Sequence, residues 1–544
     1  MKTPLVVLVV LDGWGLAPPS PGNAISQAKT PNMQRLWALY PHTQLAAAGE
    51  GVGLPRGEAG NTETGHLNLG AGRIVYQDLL RINMAVANGT FFKNKAFLGA
   101  IEHARKNKSN LHLMGLVGAG GVHSNIDHLY ALLRLSKEND FTRVFVHVFT
   151  DGRDSPPNAA ISYISQLEDF MEKNKIGQIA SVMGRYWAMD RDYRWERTEV
   201  SYKALTTGTG VFVSRAVEAI EKSYEKNVTD EFINPAIVVK NSLPLGIIKE
   251  NDSCIFFNFR IDRPRQLTKA FVIPRFEEEA QKDWGFDPYM PKYHKTHLFE
   301  VPRVKTFKRG PKIKNLYFAT MTEYGKPLDS YVSVAFPPEV VKQPLGQVLA
   351  DQGKRQLRLA ESEKERFVTF YFNGQREIPF LGEERLIIPS LAVSTYDQAP
   401  EMSARGITKA SLENLGSFDN SKYSFILINF ANADMVGHTG NLKAAIEGCG
   451  VVDECVGDIE RVVTGLGGVT IITGDHGNAE QMLGGEGGMH TEHTTNPVPF
   501  IVAGEIFLGR SEVLQSGILA DVAPTVLKLL DIPVPAEMTG RPLI

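Results

Sequence analysis

An aspartate and a histidine stand side by side in Thr473-Gly-Asp-His-Gly-Asn-Ala-Glu480, directly after the β-branched apolar run Gly468-Val-Thr-Ile-Ile472. Carboxylate and imidazole together suit a divalent metal ion, although the dipeptide alone is weak evidence. The pattern recurs twice. Leu5-Val-Val-Leu-Val-Val-Leu11 ends in Asp12-Gly13, and Phe425-Ile-Leu-Ile-Asn-Phe430 is followed by Asp434 and His438. Short apolar runs of this kind read as buried strands of a parallel sheet, whose ligands sit beyond the strands' carboxyl ends. Asp434 and His438 are four residues apart, so a single helical turn aims both at one ion. His490-Thr-Glu-His493-Thr-Thr-Asn-Pro-Val-Pro499 is too proline-rich for a helix. From it His493 can reach back to the metals, with His490 behind a ligand or uninvolved.

A hydroxyl joins these donors. Gly51 to His66 is a glycine-rich loop containing Thr62. Such a loop lets backbone N–H groups approach a phosphate and exposes a hydroxyl for attack. Turn chemistry is the plainer reading of its glycines, and only the company of the metal ligands raises Thr62 above it. Three aspartates, three histidines and one hydroxyl suffice for two ions, which can activate a nucleophile and stabilise a leaving oxygen in phosphoryl transfer. The donors include no thiolate, so manganese is the first choice, ahead of zinc or magnesium.

A different set follows between these ligands. Strand-like Leu111–Val117 opens onto Gly118-Ala-Gly-Gly-Val-His123-Ser-Asn-Ile-Asp-His128. His123 and His128 are five apart, which does not put both on one helical face; His123 is therefore read as a substrate contact. Arg143–Phe149 leads to Asp151-Gly-Arg153-Asp154, Ile179–Val182 to Arg185 and Arg191, and Cys254–Phe259 to Arg260 and Arg263. Each arginine taken singly reads as a surface ion pair. Five of them at strand ends, interleaved with aspartates, make a fork for carboxylate or phosphate.

The elements that must position these groups are alternating strands and helices in a chain of 544 residues, too long for one core. A helix-like run precedes Leu39, Val368-Thr-Phe-Tyr-Phe372 reads as a strand, and 519–530 reads as an amphipathic packing helix. Lys364, just before that strand, reads by itself as a surface lysine. Residues 275–312 are irregular and charged, with Arg303, Lys305, Lys308, Arg309, Lys312 and Lys314 clustered, and read as a solvated excursion. The chain returns to its first domain near Phe336-Pro-Pro-Glu339. Hydrophobic and charged fractions of 43% and 22% are those of an ordinary globular protein, and a net charge of −3 argues against nucleic acid or anionic membrane as partner. Three scattered cysteines exclude a disulfide framework. The N-terminal apolar run is too short to span a bilayer and lacks a cleavage site, so the expected compartment is cytoplasmic and the expected state a monomer.

Asp12-Gly-Trp-Gly, Gly60-Asn-Thr-Glu-Thr-Gly-His-Leu-Asn-Leu-Gly-Ala-Gly-Arg73, Asp151-Gly-Arg-Asp154, Gly184-Arg-Tyr-Trp-Ala-Met-Asp-Arg-Asp192, Thr473–Glu480 and His493–Pro499 occur in order. Together, spanning nearly the whole chain, they resemble the 2,3-bisphosphoglycerate-independent phosphoglycerate mutases of the alkaline phosphatase superfamily. The resemblance implies an α/β protein of two domains. Residues 1–78 and 338–544 would form an alkaline-phosphatase-like metal domain with a mostly parallel sheet, and 79–337 an inserted substrate-clamping α/β domain. It implies one manganese on Asp434, His438 and His493, and another on Asp12, Asp475, His476 and Thr62. The phosphoryl group of 3-phosphoglycerate would pass to Thr62 and return to the 2-hydroxyl of the turned glycerate. His123, Arg153, Asp154, Arg185, Arg191, Arg260, Arg263 and Lys364 match substrate-binding positions, Asp154 as general base. The family has Ser where this chain has Thr62, Ser-Asp where it has Gly118-Ala119, and His where it has Asn125. A metal-dependent phosphomonoesterase, a phosphopentomutase, or a non-catalytic relative created by Thr62 are the alternatives.

Overall fold

The computed structural model describes residues 4–280, 305–416, 422–484 and 487–544. They form two compact units, one of 1–77 with 339–544 and one of 78–338. Strands β1 (Val6–Leu11) and β2 (His42–Ala46) open the first unit. The second contains β3 (Leu111–Val117), β4 (Val144–Thr150), β5 (Gln178–Gly184), β6 (Val211–Val213), β7 (Ala236–Lys240), β8 (Leu243–Pro244), β9 (Ser253–Phe256), β10 (Tyr317–Thr322) and β11 (Ser333–Phe336). The chain then completes the first unit with β12 (Gln356–Glu361), β13 (Glu383–Ile388), β14 (Phe425–Phe430), β15 (Val469–Gly474), β16 (Val498–Ala503) and β17 (Gly517–Ile518).

In the first unit the strand order is β13-β12-β14-β1-β15-β16-β2-β17. From β13 through β15 all neighbours are parallel; β16 runs antiparallel to both β15 and β2. The mostly parallel α/β architecture is the one expected. Every residue of β1, β14 and β15 is buried, which is why each reads as an unbroken apolar run. Each fully buried Val, Leu or Ile contributes about 1.5–3 kcal/mol, so these strands anchor the sheet and fix the direction in which their ends point. The second unit repeats the plan, with β11-β10-β9-β3-β4-β5 parallel in that order, then β7 antiparallel to β5.

Several local readings are corrected. The run before Leu39 is two helices, Ala24–Gln27 and Pro31–Leu39, because the proline ring drives the residue before it out of helical geometry. The stretch 519–530 begins as a 3₁₀ turn, Leu519–Asp521, before the helix Val522–Leu529. Phe367–Tyr371 is a π-helical turn and no strand. The strand slot beside β14 is already filled by β12, so the β-prone aromatics pack as a turn behind it. Arg303 lies outside the described residues. Arg309 is no free surface charge: its guanidinium donates to the carbonyls of Ala270 (3.0 Å), Ile273 (2.7 Å) and Pro274 (2.9 Å). It thereby satisfies orphan acceptors at the end of the helix Pro264–Val272.

Candidate functional site

Four adjacent parallel strands of the first unit, β12, β14, β1 and β15, empty onto one edge of the sheet. Beyond their carboxyl ends stand Lys364, Asp434, Asp12, and Asp475 with His476. Thr62 arrives as the first residue of the helix Thr62–Ala71. The sequence reads as loop through His66, yet Asn61 and Thr64 form a capping box and the helix already starts at Thr62. Two glycines allow this convergence. Gly13 has φ +71°, and a Cβ there would lie 2.7 Å from the Asp434 Cα; a Cβ on Gly65 would lie 2.6 Å from the Asp475 carbonyl. Asp434 belongs to the short helix Asn432–Gly437, with His438 at its C-cap.

Thr62 Oγ1 is 3.0 Å from His476 Nε2, 3.3 Å from Asp12 Oδ1 and 3.2 Å from Lys364 Nζ. Asp434 Oδ1 is 3.2 Å from both His438 Nε2 and His493 Nε2, which are themselves 3.0 Å apart. All three histidines have Nδ1 against a backbone carbonyl: Thr491 for His438, Gly60 for His493 and Gly477 for His476. Nδ1 therefore donates to the carbonyl in each case, and the rings turn Nε2 inward among carboxylate oxygens. Three carboxylates and three inward-facing imidazoles gathered in one pocket make a strongly negative site, and a cation offsets that charge. Imidazole held by a carbonyl through its other nitrogen is the usual arrangement of a metal-ligating histidine. By mutual distance the donors fall into two groups, Asp434 with His476 and His493, and Asp12 with Asp475 and His476. His476 is thus common to both. The donors fit divalent ions.

The field of the pocket agrees. Burial works against a proton on His476, yet Asp475, Asp12 and Asp434 overcome it and raise the imidazole to about 10. Burial likewise opposes ionisation of Asp475, but His476, His66 and Lys364 bring it down to about 2. Lys364 is 2% exposed, not the surface lysine of the isolated reading. Its ammonium meets Asp12 Oδ1 at 2.8 Å and Asp434 Oδ2 at 2.7 Å. Against the cost of burial, these two carboxylates and Asp475 hold it charged.

Four polar side chains of this cluster were not anticipated. Asn429 donates to Asp12 Oδ2 (2.7 Å), and His66 lies 3.2 Å from Asp475 Oδ2. Asn478 donates to Asp434 Oδ1 at 3.3 Å, while Glu480 accepts from the Gly15 and Asn478 amides. A signal existed for two of them: Asn429 is a polar residue inside an otherwise apolar buried strand, and His66 is one helical turn from Thr62. His490 makes no side-chain contact with the cluster among those described.

In the second unit β9, β3, β4 and β5 deliver a basic set to their own carboxyl edge. Buried Arg185 donates to Asp151 (2.6 Å) and Asp154 (2.5 Å). Asp262 receives Arg191 at 2.6 Å and Arg260 at 3.4 Å. Arg263 donates to the Met189 carbonyl, and burial, with Arg185 and Arg191 nearby, pulls it down to about 10. Arg153 is more open, 3.6 Å from Glu231. His123 lies 3.7 Å from Asp154 and 3.7 Å from Asp262; burial and then Arg185 push it down to about 3, so the ring is neutral. Burial opposes ionisation of Asp154, but its Arg185 hydrogen bond keeps the carboxyl below its ordinary range. His128 is elsewhere, bonded to Asn83, and Asn125 caps the helix Ile126–Glu138.

Residues 82–326 match the family described as BPG-independent PGAM N-terminus. The chain is 51% identical over 539 residues to the 2,3-bisphosphoglycerate-independent phosphoglycerate mutase of Moorella thermoacetica, with 99% of this chain and 98% of the relative covered. It is 48% identical over 543 residues to the protein of the same name from Desulforudis audaxviator, covering 100% and 99%. Among solved structures it is similar to a Leishmania mexicana phosphoglycerate mutase crystallised at low cobalt concentration, with TM-score 0.59, 29% identity, and 99% and 98% of the two chains covered. Among the described residues no helix is long and apolar enough to cross a membrane.

Proposed function

The chain belongs to the 2,3-bisphosphoglycerate-independent phosphoglycerate mutases, which are isomerases, and from that premise we propose that it interconverts 3- and 2-phosphoglycerate through a phosphothreonine at position 62. The observation that carries this reading is the Thr62 hydroxyl, at the start of a helix, within 3.3 Å of Asp12, His476 and Lys364. Asp12, Thr62, Asp475 and His476 would hold one divalent ion, and Asp434, His438 and His493 another, with His476 near both. Manganese is our first choice for a donor set of carboxylate, imidazole and hydroxyl. When bound, such ions ease deprotonation of a hydroxyl and neutralise charge on the transferring phosphoryl group.

The work is divided between the units. In the first, Thr62 Oγ gives up its proton and bonds to phosphorus as the bond from phosphorus to the glycerate O3 breaks and O3 takes up a proton, while Lys364 offers its ammonium to the phosphoryl oxygens. The helix N-terminus, where backbone N–H groups lack intrahelical partners, also favours the anion. In the second, Arg153, Arg185, Arg191, Arg260 and Arg263 hold the glycerate carboxylate and oxygens, with neutral His123 as a further hydrogen-bonding contact. On return, the glycerate O2 bonds to phosphorus, its proton passes to the Asp154 carboxylate, and the bond to Thr62 Oγ breaks. Holding glycerate while water is excluded separates a mutase from a phosphatase. Domain roles follow: residues 1–78 with 338–544 for metal and phosphoryl group, 79–337 for substrate. Function as a monomer in the cytoplasm, in glycolysis and gluconeogenesis, goes with this assignment.

The test supplies manganese-loaded protein with 3-phosphoglycerate and no 2,3-bisphosphoglycerate, following 2-phosphoglycerate and free phosphate. Isomer with little phosphate, abolished by EDTA, is expected. Predominant free phosphate would make the chain a phosphatase, and neither product would leave a non-catalytic relative.

A further inference from the structure

His66 and Asn429 have no part in the chemistry above, yet both are fully buried beside it. Asn429 projects from β14, and its Nδ2 serves two acceptors, Asp12 Oδ2 at 2.7 Å and His66 Nε2 at 3.1 Å. Its Oδ1 has no hydrogen-bond partner among the described residues, so the amide is oriented by these two bonds alone. His66 Nδ1 faces the Thr62 carbonyl at 3.0 Å and Asp475 Oδ2 at 3.2 Å. Both are acceptors, so Nδ1 carries the proton; Nε2 faces an amide donor, so it carries none. The ring is held with its N–H at Nδ1 toward the Thr62 carbonyl and Nε2 toward the Asn429 amide. The result is a hydrogen-bonded chain from Asp12 through Asn429 and His66 to the backbone of Thr62, with the His66 ring also packed 3.2 Å from the Asp475 carboxylate. It joins three groups of one of the two proposed ion sets, and among the described residues it makes no hydrogen bond to Asp434, His438 or His493.

We propose that His66 and Asn429 are positioning residues that jointly orient Asp12, Asp475 and the Thr62 turn for one of the two ions, leaving the other ion's ligands unaffected. This rests on the reading that the cluster holds two divalent ions. Groups behind metal ligands typically change affinity by about 10–100-fold when removed. Because the two residues act in series, losing either breaks the same chain.

The test is manganese titration by calorimetry of the metal-stripped full chain, as wild type, Asn429→Ala, His66→Ala, His66→Asn and the double Asn429→Ala/His66→Ala. Wild type should take up two ions. Either alanine variant should weaken one of them by about 10–100-fold and leave the other within twofold. The double variant should be no worse than the weaker single one, and His66→Asn, which keeps an N–H near the Thr62 carbonyl, should recover part of the loss. Equal weakening of both ions, or no weakening, overturns the proposal while the two-ion reading stands. Uptake of no ion by wild type fails that reading and takes the proposal with it. Should a variant not fold, nitrogen-15 NMR of histidine-labelled wild type decides: His66 as Nδ1–H sustains the proposal, and Nε2–H overturns it.

Discussion

Thr62 carries one methyl more than serine, and its branched Cβ restricts χ1. In the folded chain that restriction holds Oγ1 toward His476 and Asp12, so the methyl orients the hydroxyl as well as crowding it. Thr62→Ala should abolish phosphoprotein on exposure to 3-phosphoglycerate and lower mutase turnover at least ~10³-fold. Thr62→Ser should stay within about tenfold of wild type; wild-type rates in the alanine variant would remove Thr62 from the pathway. Lys364 makes a separate prediction. It is a buried cation between two carboxylates, and breaking such an arrangement by removing one partner costs about 3–5 kcal/mol. Lys364→Met should therefore unfold at markedly lower denaturant in EDTA. Added manganese should narrow the gap, since it supplies positive charge to the same oxygens. A gap that manganese leaves unchanged would argue against ions binding there.

At the scale of elements, the site depends on how closely strands and helices approach. Gly65 lies inside the helix Thr62–Ala71, where alanine would ordinarily gain about 1 kcal/mol. Here its methyl would meet the Asp475 carbonyl at 2.6 Å, and backbone must move, a strain of about 1–3 kcal/mol. Gly65→Ala is expected to lower thermal stability and weaken manganese binding together; a stabilised variant would show that the helix packs less tightly against β15. The legibility of the site followed the same elements. β1, β14 and β15 were readable because each is a mainly apolar, fully buried run followed within a few residues by an aspartate. β12 was not, since Gln356-Leu-Arg-Leu-Ala-Glu361 alternates polar residues although all six are buried. Its Arg358 is covered by the rings of Phe372 and Phe425, 4.9 and 5.4 Å away, partners that sequence spacing does not reveal. Missing β12 made Lys364 look like a surface residue. The resemblance alone singled it out, and neither His66 nor Asn429 had a partner in view until the fold supplied one.

Across the whole molecule, the two units carry buried titratable groups that respond oppositely to pH. In the second unit burial pushes His128 from 6.5 down to about 4. Below pH 6.5 the unfolded chain takes up a proton that the folded ring refuses, so stability falls as pH drops toward 4, by about 3 kcal/mol in all. His123, down to about 3, acts in the same direction. In the first unit burial lifts Glu361 from 4.5 to about 7, with Ser390 opposing. As pH rises past 4.5 the unfolded carboxyl ionises first, and stability falls until about pH 7, again by ~3 kcal/mol. Hydrogen exchange of the metal-free full chain, resolved by peptide, separates the two effects. Moving from pH 7 to pH 5, with rates corrected for intrinsic exchange, β3 and β4 should lose protection. Glu361→Gln should raise protection of β1 and β14 at pH 8 and have little effect at pH 4.5. If Glu361→Gln gave the same gain at both pH values, Glu361 would be ionised in the folded chain across the range, and the first unit would owe its pH response to other groups.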